Sequence, residues 1–216
     1  MDTDAIYRNY IDALTDGDRR RALSVVQEAF WEGADVATIF LHVFQPALRE
    51  VGRRWEAGSM TVADEHLATE ITETAMGWLY DQTVDGSRRG APTPTILAAG
   101  APDELHHVGL RMIGHLAEAD GWDVVYLGGA VPIDGLLAMI RKRHPKVVAL
   151  SATYTPHVDH VAAAIQAIRR EFGDDAPAII VGGRPFLDDP GLGERLGADL
   201  VAADAATAVE LLRDRK

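Results

Sequence analysis

Glu104, His106 and Gly109 stand in the pattern Glu-x-His-x-x-Gly just after an apolar run, Thr95-Ile96-Leu97-Ala98-Ala99. Such a run reads as a buried strand, and the polar stretch after it as a loop leading into a helix. An imidazole in that loop stands at the carboxyl edge of a parallel sheet, where open α/β sheets bind their ligands. A carboxylate two residues earlier can hold one ring nitrogen and leave the other as a metal ligand. A glycine three residues later lets a bulky group approach the backbone. The chemistry this triplet predicts is imidazole ligation of a metal centre, with the carboxylate orienting the ring. Taken alone the pattern is short, and a lone histidine is more often a surface or capping residue.

Two further loops are expected at the same edge. Ser151-Ala152-Thr153 closes the apolar run that starts at Val147, and Gly182-Gly183 follows the run Ala178 to Val181. A hydroxyl beside paired glycines suits a long polar ligand tail lying along bare backbone. Each alone has a plainer reading, a helix cap for Ser151 and a strand-to-helix turn for the glycines. Their joint order on one edge is what favours a binding site. Earlier in the chain, Trp55 is separated by nine residues from Glu65-His66. An indole packs against flat apolar groups and a glutamate accepts hydrogen bonds from hydroxyls, so these three are candidate ligand contacts. Their plainer reading is a core tryptophan, a helix N-terminal charge and a solvated imidazole.

The elements that position these residues fall into two parts. Helical spacing predicts helices over Asp4 to Leu14, Arg19 to Trp31, Val36 to Trp55 and Thr61 to Asp81. Pro46 is placed to kink the third, and Thr61 with Asp64 forms a capping box for the fourth. The stretch Asp85 to Pro94 has the Gly, Pro and Ser content of a linker. After it, strands are expected at Thr95 to Ala99, Asp123 to Leu127, Val147 to Ser151, Ala178 to Val181 and Asp199 to Val201. Helices are expected between and after them, over 105–119, 133–143, 158–172, 190–196 and 205–213. The expected architecture is α/β with an all-α N-terminal part. A four-helix bundle (1–84) and a linker (85–94) precede a flavodoxin-like, doubly wound, five-stranded parallel sheet (95–216).

Composition narrows the function. A net charge of −12 argues against direct nucleic-acid binding. The absence of cysteine excludes disulfides, thiolate metal sites and thioether-linked chromophores. No apolar run is long enough for a membrane span and the acidic start carries no apolar signal core, so a cytoplasmic location is expected. No Gly-x-Gly-x-x-Gly or Walker pattern favours a nucleotide enzyme. His42, His115 and His144 lie on expected helices at isolated positions, and His157 and His160 read as helix-capping residues.

The residues from about 93 onward resemble a cobalamin-binding Rossmann-like domain. The resemblance rests on Glu104-x-His106-x-x-Gly109, on Ser151-x-Thr153 and on Gly182-Gly183. Gly121 to Gly129 with Val131-Pro132, and Gly197-Ala198-Asp199, add to it. It implies that His106 coordinates cobalt from the lower face in place of the cofactor's own base, and that Glu104 orients it. It also implies that Gly109, Ser151, Thr153, Gly182 and Gly183 line the pocket of the displaced tail. Together with Trp55-x9-Glu65-His66, nearly the whole chain resembles the CarH-like B12 photoreceptors. That resemblance implies adenosylcobalamin, with Trp55, Glu65 and His66 on its upper face, and a non-enzymatic light-sensing role. It further implies self-association or a separate output protein as the partner. Some relatives of these sensors also hold a bilin, which here would bind noncovalently. Glu replaces the family's usual Asp at 104, Thr153 stands where Leu is common, and Glu56 occupies the position of the cobalt-capturing histidine. The family's N-terminal DNA-binding domain is also not expected in this chain. The alternatives are a corrinoid protein that shuttles methyl groups between methyltransferases, and a small subunit of an adenosylcobalamin-dependent mutase.

Overall fold

The computed structural model describes residues 2–83, 93–189 and 191–215. The expected linker over 85–94 lies outside these apart from Thr93 and Pro94. Two compact units divide the chain, Met1–Asp85 and Gly86–Lys216.

The first unit is helical: α1 (Thr3–Thr15), α2 (Arg19–Trp31), α3 (Val36–Ile39), α4 (Gln45–Glu56) and α5 (Val62–Thr83). Between α3 and α4 runs a π-helical segment, Phe40–Phe44, so the expected third helix is one path with a widened turn. Pro46 has no N–H to give, and its ring would collide with the carbonyl four residues back. Extending one turn to a five-residue bond, Gln45 N–H to the Phe40 carbonyl, accommodates it. Asp2 and Asp18 cap the first two helices with their side chains. The capping box of α5 is formed: Asp64 accepts from the Thr61 N–H at 2.8 Å, and Thr61 Oγ1 from the Asp64 N–H at 3.2 Å. The core holds Tyr10, Leu14, Val26, Phe40, Phe44, Ile71, Met76 and Leu79. Within it the Tyr10 hydroxyl donates to Thr72 Oγ1 at 3.0 Å, and burial raises the Tyr10 pKa.

The second unit is a five-stranded parallel sheet, β1 (Thr95–Gly100), β2 (Asp123–Gly128), β3 (Val147–Ser151), β4 (Ala178–Gly182) and β5 (Leu200–Ala202), in the order β2-β1-β3-β4-β5. This is the flavodoxin-like order, whose switch point lies between β1 and β3. Its helices are α6 (Val108–Ala119), α7 (Ile133–Arg143), α8 (Val158–Phe172), α9 (Arg184–Asp188), α10 (Leu192–Leu196) and α11 (Ala205–Arg213). Strand alternation sends Leu97 and Ala99 into one core with Leu137, Ile140, Val161 and Ile165. Ile96 and Ala98 face the opposite core, with Leu110, Trp122, Val209 and Leu212. Among the described residues no helix is long and apolar enough to cross a membrane.

Register places the site. Gly100 of β1 pairs with Ser151 of β3, and Ser151 with Gly182 of β4, so three strand ends lie side by side. The loops leaving them carry the residues singled out above.

Candidate functional site

Glu104 is at the centre. Its side chain is fully buried, and each carboxylate oxygen takes two hydrogen bonds. Oε1 accepts from the backbone N–H of His106 at 2.8 Å and faces His106 Nδ1 at 2.7 Å. Oε2 accepts from the backbone N–H of Thr153 and faces His157 Nδ1 at 3.0 Å. Burial pushes this carboxyl up; the bonds from His106, His157 and the two backbone N–H groups outweigh it and hold the group down at about 2. Glu104 is therefore an anion at neutral pH. It fixes Nδ1 of His106 as a donor, which leaves Nε2 as the nitrogen of the neutral ring that carries a lone pair. The His106 side chain is 43% exposed, so that ring is reachable from outside.

The loop is held from its other flank too. The Glu104 carbonyl accepts from the Ala130 N–H at 2.7 Å, and Tyr126 Oη lies 2.9 Å from His107 Nδ1. A Cβ on Gly129 would stand 2.6 Å from the Glu104 carbonyl oxygen, so that position admits no side chain. The helix expected from 105 starts at Val108, because residues 104–107 are committed to these bonds.

The remaining expected residues fall as follows. Ser151 Oγ is buried and has no hydrogen-bond partner among the described residues. A Cβ on Gly109 would meet nothing within 4 Å, so the first turn of α6 is open to a bulky group. Gly183 has φ +110°, and a Cβ there would fall 1.9 Å from the Ala152 carbonyl oxygen. The chain's own backbone thus demands that glycine, whatever else lies along it. A Cβ on Gly182 would lie 3.2 Å from the Ala202 carbonyl oxygen, a tight contact but not a prohibitive one. Thr153 joins the site through its backbone N–H.

His157 and His160 correct the sequence reading in part. His157 holds the N-cap position of α8, but its side chain accepts no cap bond there and binds Glu104 instead, while His160 Nδ1 lies 2.8 Å from the Pro102 carbonyl. His157 lies 53 residues from its partner, a separation no local pattern reports.

In the helical unit, Trp55 is 38% exposed at the end of α4, which counters the plain reading of a core residue. On α5, Glu65 Oε2 meets His66 Nδ1 at 2.6 Å, and Glu65 Oε1 accepts from the Thr69 hydroxyl at 3.1 Å.

An oriented imidazole, an orphaned buried hydroxyl and an open helix turn at one sheet edge suit a metal-bearing ligand with a polar tail. Residues 94–213 match a family described as B12 binding domain, and residues 6–80 match a second family of the same description. The chain belongs to the B12-binding domain family. Trimethylamine corrinoid protein 1 of Methanosarcina acetivorans is 25% identical over 94% of this B12-binding chain and 93% of its own. Dimethylamine corrinoid protein of Methanosarcina barkeri is 22% identical over 97% and 96%. The solved monomethylamine corrinoid protein of M. barkeri shares the fold, with TM-score 0.84 and 20% identity over 98% of each chain. A cobalamin-binding protein from Desulfitobacterium hafniense aligns at TM-score 0.55 and 25% identity, over 100% of this chain and 98% of its own. Cobalamin binding follows from family membership, and Ser151 and His106 fit such a ligand on their own geometry.

Proposed function

We propose that the protein is a corrinoid carrier of methyl groups, working between a methyl donor protein and a methyl acceptor protein. The observation that carries this reading is the buried Glu104 anion holding His106 at the sheet edge. It is supported by relatives whose names join a corrinoid to a methylated amine across nearly the full length of this chain. A bound corrinoid would supply a cobalt that takes a methyl group from a donor and yields it to a nucleophile.

The chain's own part is binding and orientation. His106 would offer Nε2 to the metal, and Glu104 would keep Nδ1 protonated and the ring basic. Ser151 would donate its hydroxyl to the polar tail. Gly182 and Gly183 would flank that tail, and Gly109 would leave room beside His106. Trp55, Glu65 and His66 would contact the bound corrinoid. No residue of the chain is assigned a catalytic step.

Light sensing with adenosylcobalamin is the second reading, favoured by the spacing of Trp55 and Glu65-His66. Absorption spectra and gel filtration of purified protein given methylcobalamin or adenosylcobalamin, in the dark and after green light, separate the two. Retention of methylcobalamin, with no light-driven change in molecular size in either form, is the outcome expected of a carrier. Selective retention of adenosylcobalamin with a light-dependent change in size would overturn it in favour of a sensor. Bands beyond 600 nm would show a bilin.

A further inference from the structure

A hydrogen bond at one ring nitrogen fixes an atom more tightly than it fixes the plane of the ring. Glu104 holds His106 Nδ1 at 2.7 Å, yet the ring can still swing about that contact, because the torsion joining an aromatic ring to its Cβ is broad. The direction of Nε2 swings with it. Metal–nitrogen bonds are directional, so orienting the ring matters as much as choosing its tautomer.

Tyr154 meets this ring. The two centroids are 5.0 Å apart with planes at 85°, the edge-to-face geometry aromatic pairs favour. On its other side Tyr154 meets the His157 ring at 5.8 Å and 81°. His157 returns to Glu104 through Nδ1 at 3.0 Å. The contacts therefore close a circuit, Glu104 to His106 to Tyr154 to His157 and back to Glu104. Hydrogen bonds form two of its sides and aromatic contacts the other two.

We propose that Tyr154 is a positioning residue of the corrinoid site, setting the plane of the His106 ring while Glu104 sets its tautomer. The assignment rests on the corrinoid-binding reading of His106. It makes the aromatic ring of Tyr154 the working part and its hydroxyl dispensable. The circuit is made entirely by the chain's own side chains, so the imidazole is oriented by the protein and less ordering is left to the binding step.

The test compares wild type with Tyr154→Ala, Tyr154→Phe and Tyr154→Leu in the full chain labelled with 15N-histidine. Without ligand, the ring-proton shifts of His106 report the Tyr154 ring current directly. They are expected to be kept in Tyr154→Phe and lost in Tyr154→Ala and Tyr154→Leu. With cob(II)alamin added, the electron paramagnetic resonance spectrum shows a doublet splitting for 15N-histidine ligation and a triplet for the cofactor's own base. The ratio of histidine-bound to base-bound cofactor is expected to fall about three- to tenfold in Tyr154→Ala and Tyr154→Leu, the worth of one aromatic pair, and to recover in Tyr154→Phe. Tyr154→Leu preserves bulk, so a misfolded alanine variant does not decide the matter. Loss of the ring current with an undiminished doublet would overturn the positioning role, as would a Tyr154→Phe variant as weak as Tyr154→Leu. A triplet in the wild type would overturn the ligand role of His106 and this proposal with it, and is told apart by appearing before any substitution.

Discussion

Glu104 takes four donors on two oxygens, with one backbone N–H on each: His106 on Oε1 and Thr153 on Oε2. A carboxylate can do this because both oxygens are acceptors. An amide cannot. Whichever way a glutamine at 104 turned, its NH2 would face a backbone N–H that cannot reverse its polarity, together with an imidazole. Glu104→Gln is therefore expected to destabilise the chain by about 2–3 kcal/mol, the cost of a buried donor without a partner, although the side chain barely changes in size. Urea unfolding at neutral pH checks this, and a loss below about 0.5 kcal/mol would mean the pair of loops is held elsewhere. The Glu104–His106 half of this site was legible in the sequence because its members stand two residues apart. Thr153 was legible as a residue of the tail pocket, but its bond to Glu104 and the parts of Tyr154 and His157 were not, since they arrive from β3, whose register with β1 only folding establishes.

At the scale of elements, the inner strands β1, β3 and β4 were legible because each is an apolar run with both faces buried, as β1 is from Ile96 to Gly100, while the edge strands β2 and β5 are only partly buried. The π-turn at Phe40–Phe44 left a single sign, Pro46, which announces a disturbance without its form. The helix expected over 190–196 is α10, and the short α9 before it was not expected, because the residues after Gly183 turn straight into helix. His115 is the element-scale surprise. It lies on α6, nearly fully buried, and burial, aided by the Arg111 charge, lowers its pKa from 6.5 to about 4. The folded chain thus resists a proton that the unfolded chain accepts. This contribution to stability is complete above about pH 6.5 and is lost as pH falls toward 4. At pH 5 the loss is expected to be about 2 kcal/mol relative to pH 7.5. His115→Leu should flatten that part of the pH profile in urea unfolding. An equal loss in the variant would place the proton elsewhere.

At the scale of the molecule, the chain divides into two compact units, and the effect of a ligand on each is read separately. The sheet unit contains every residue assigned to the cobalt's lower face and the tail, while Trp55, Glu65 and His66 belong to the helical unit. Hydrogen exchange divides their contributions. At about 100-fold excess over its dissociation constant, cobalamin should stabilise whatever folds around it by about 2.7 kcal/mol, slowing fully protected amides about 100-fold. Slowing is expected in β1, β3 and β4, and His106→Ala should reduce it. The helical unit decides the rest. If the amides of α4 and α5 slow with those of the sheet, the ligand engages Trp55 and Glu65, and the helices share in holding it. Slowing confined to the sheet would remove the upper-face role from all three residues and leave corrinoid binding to the circuit around Glu104.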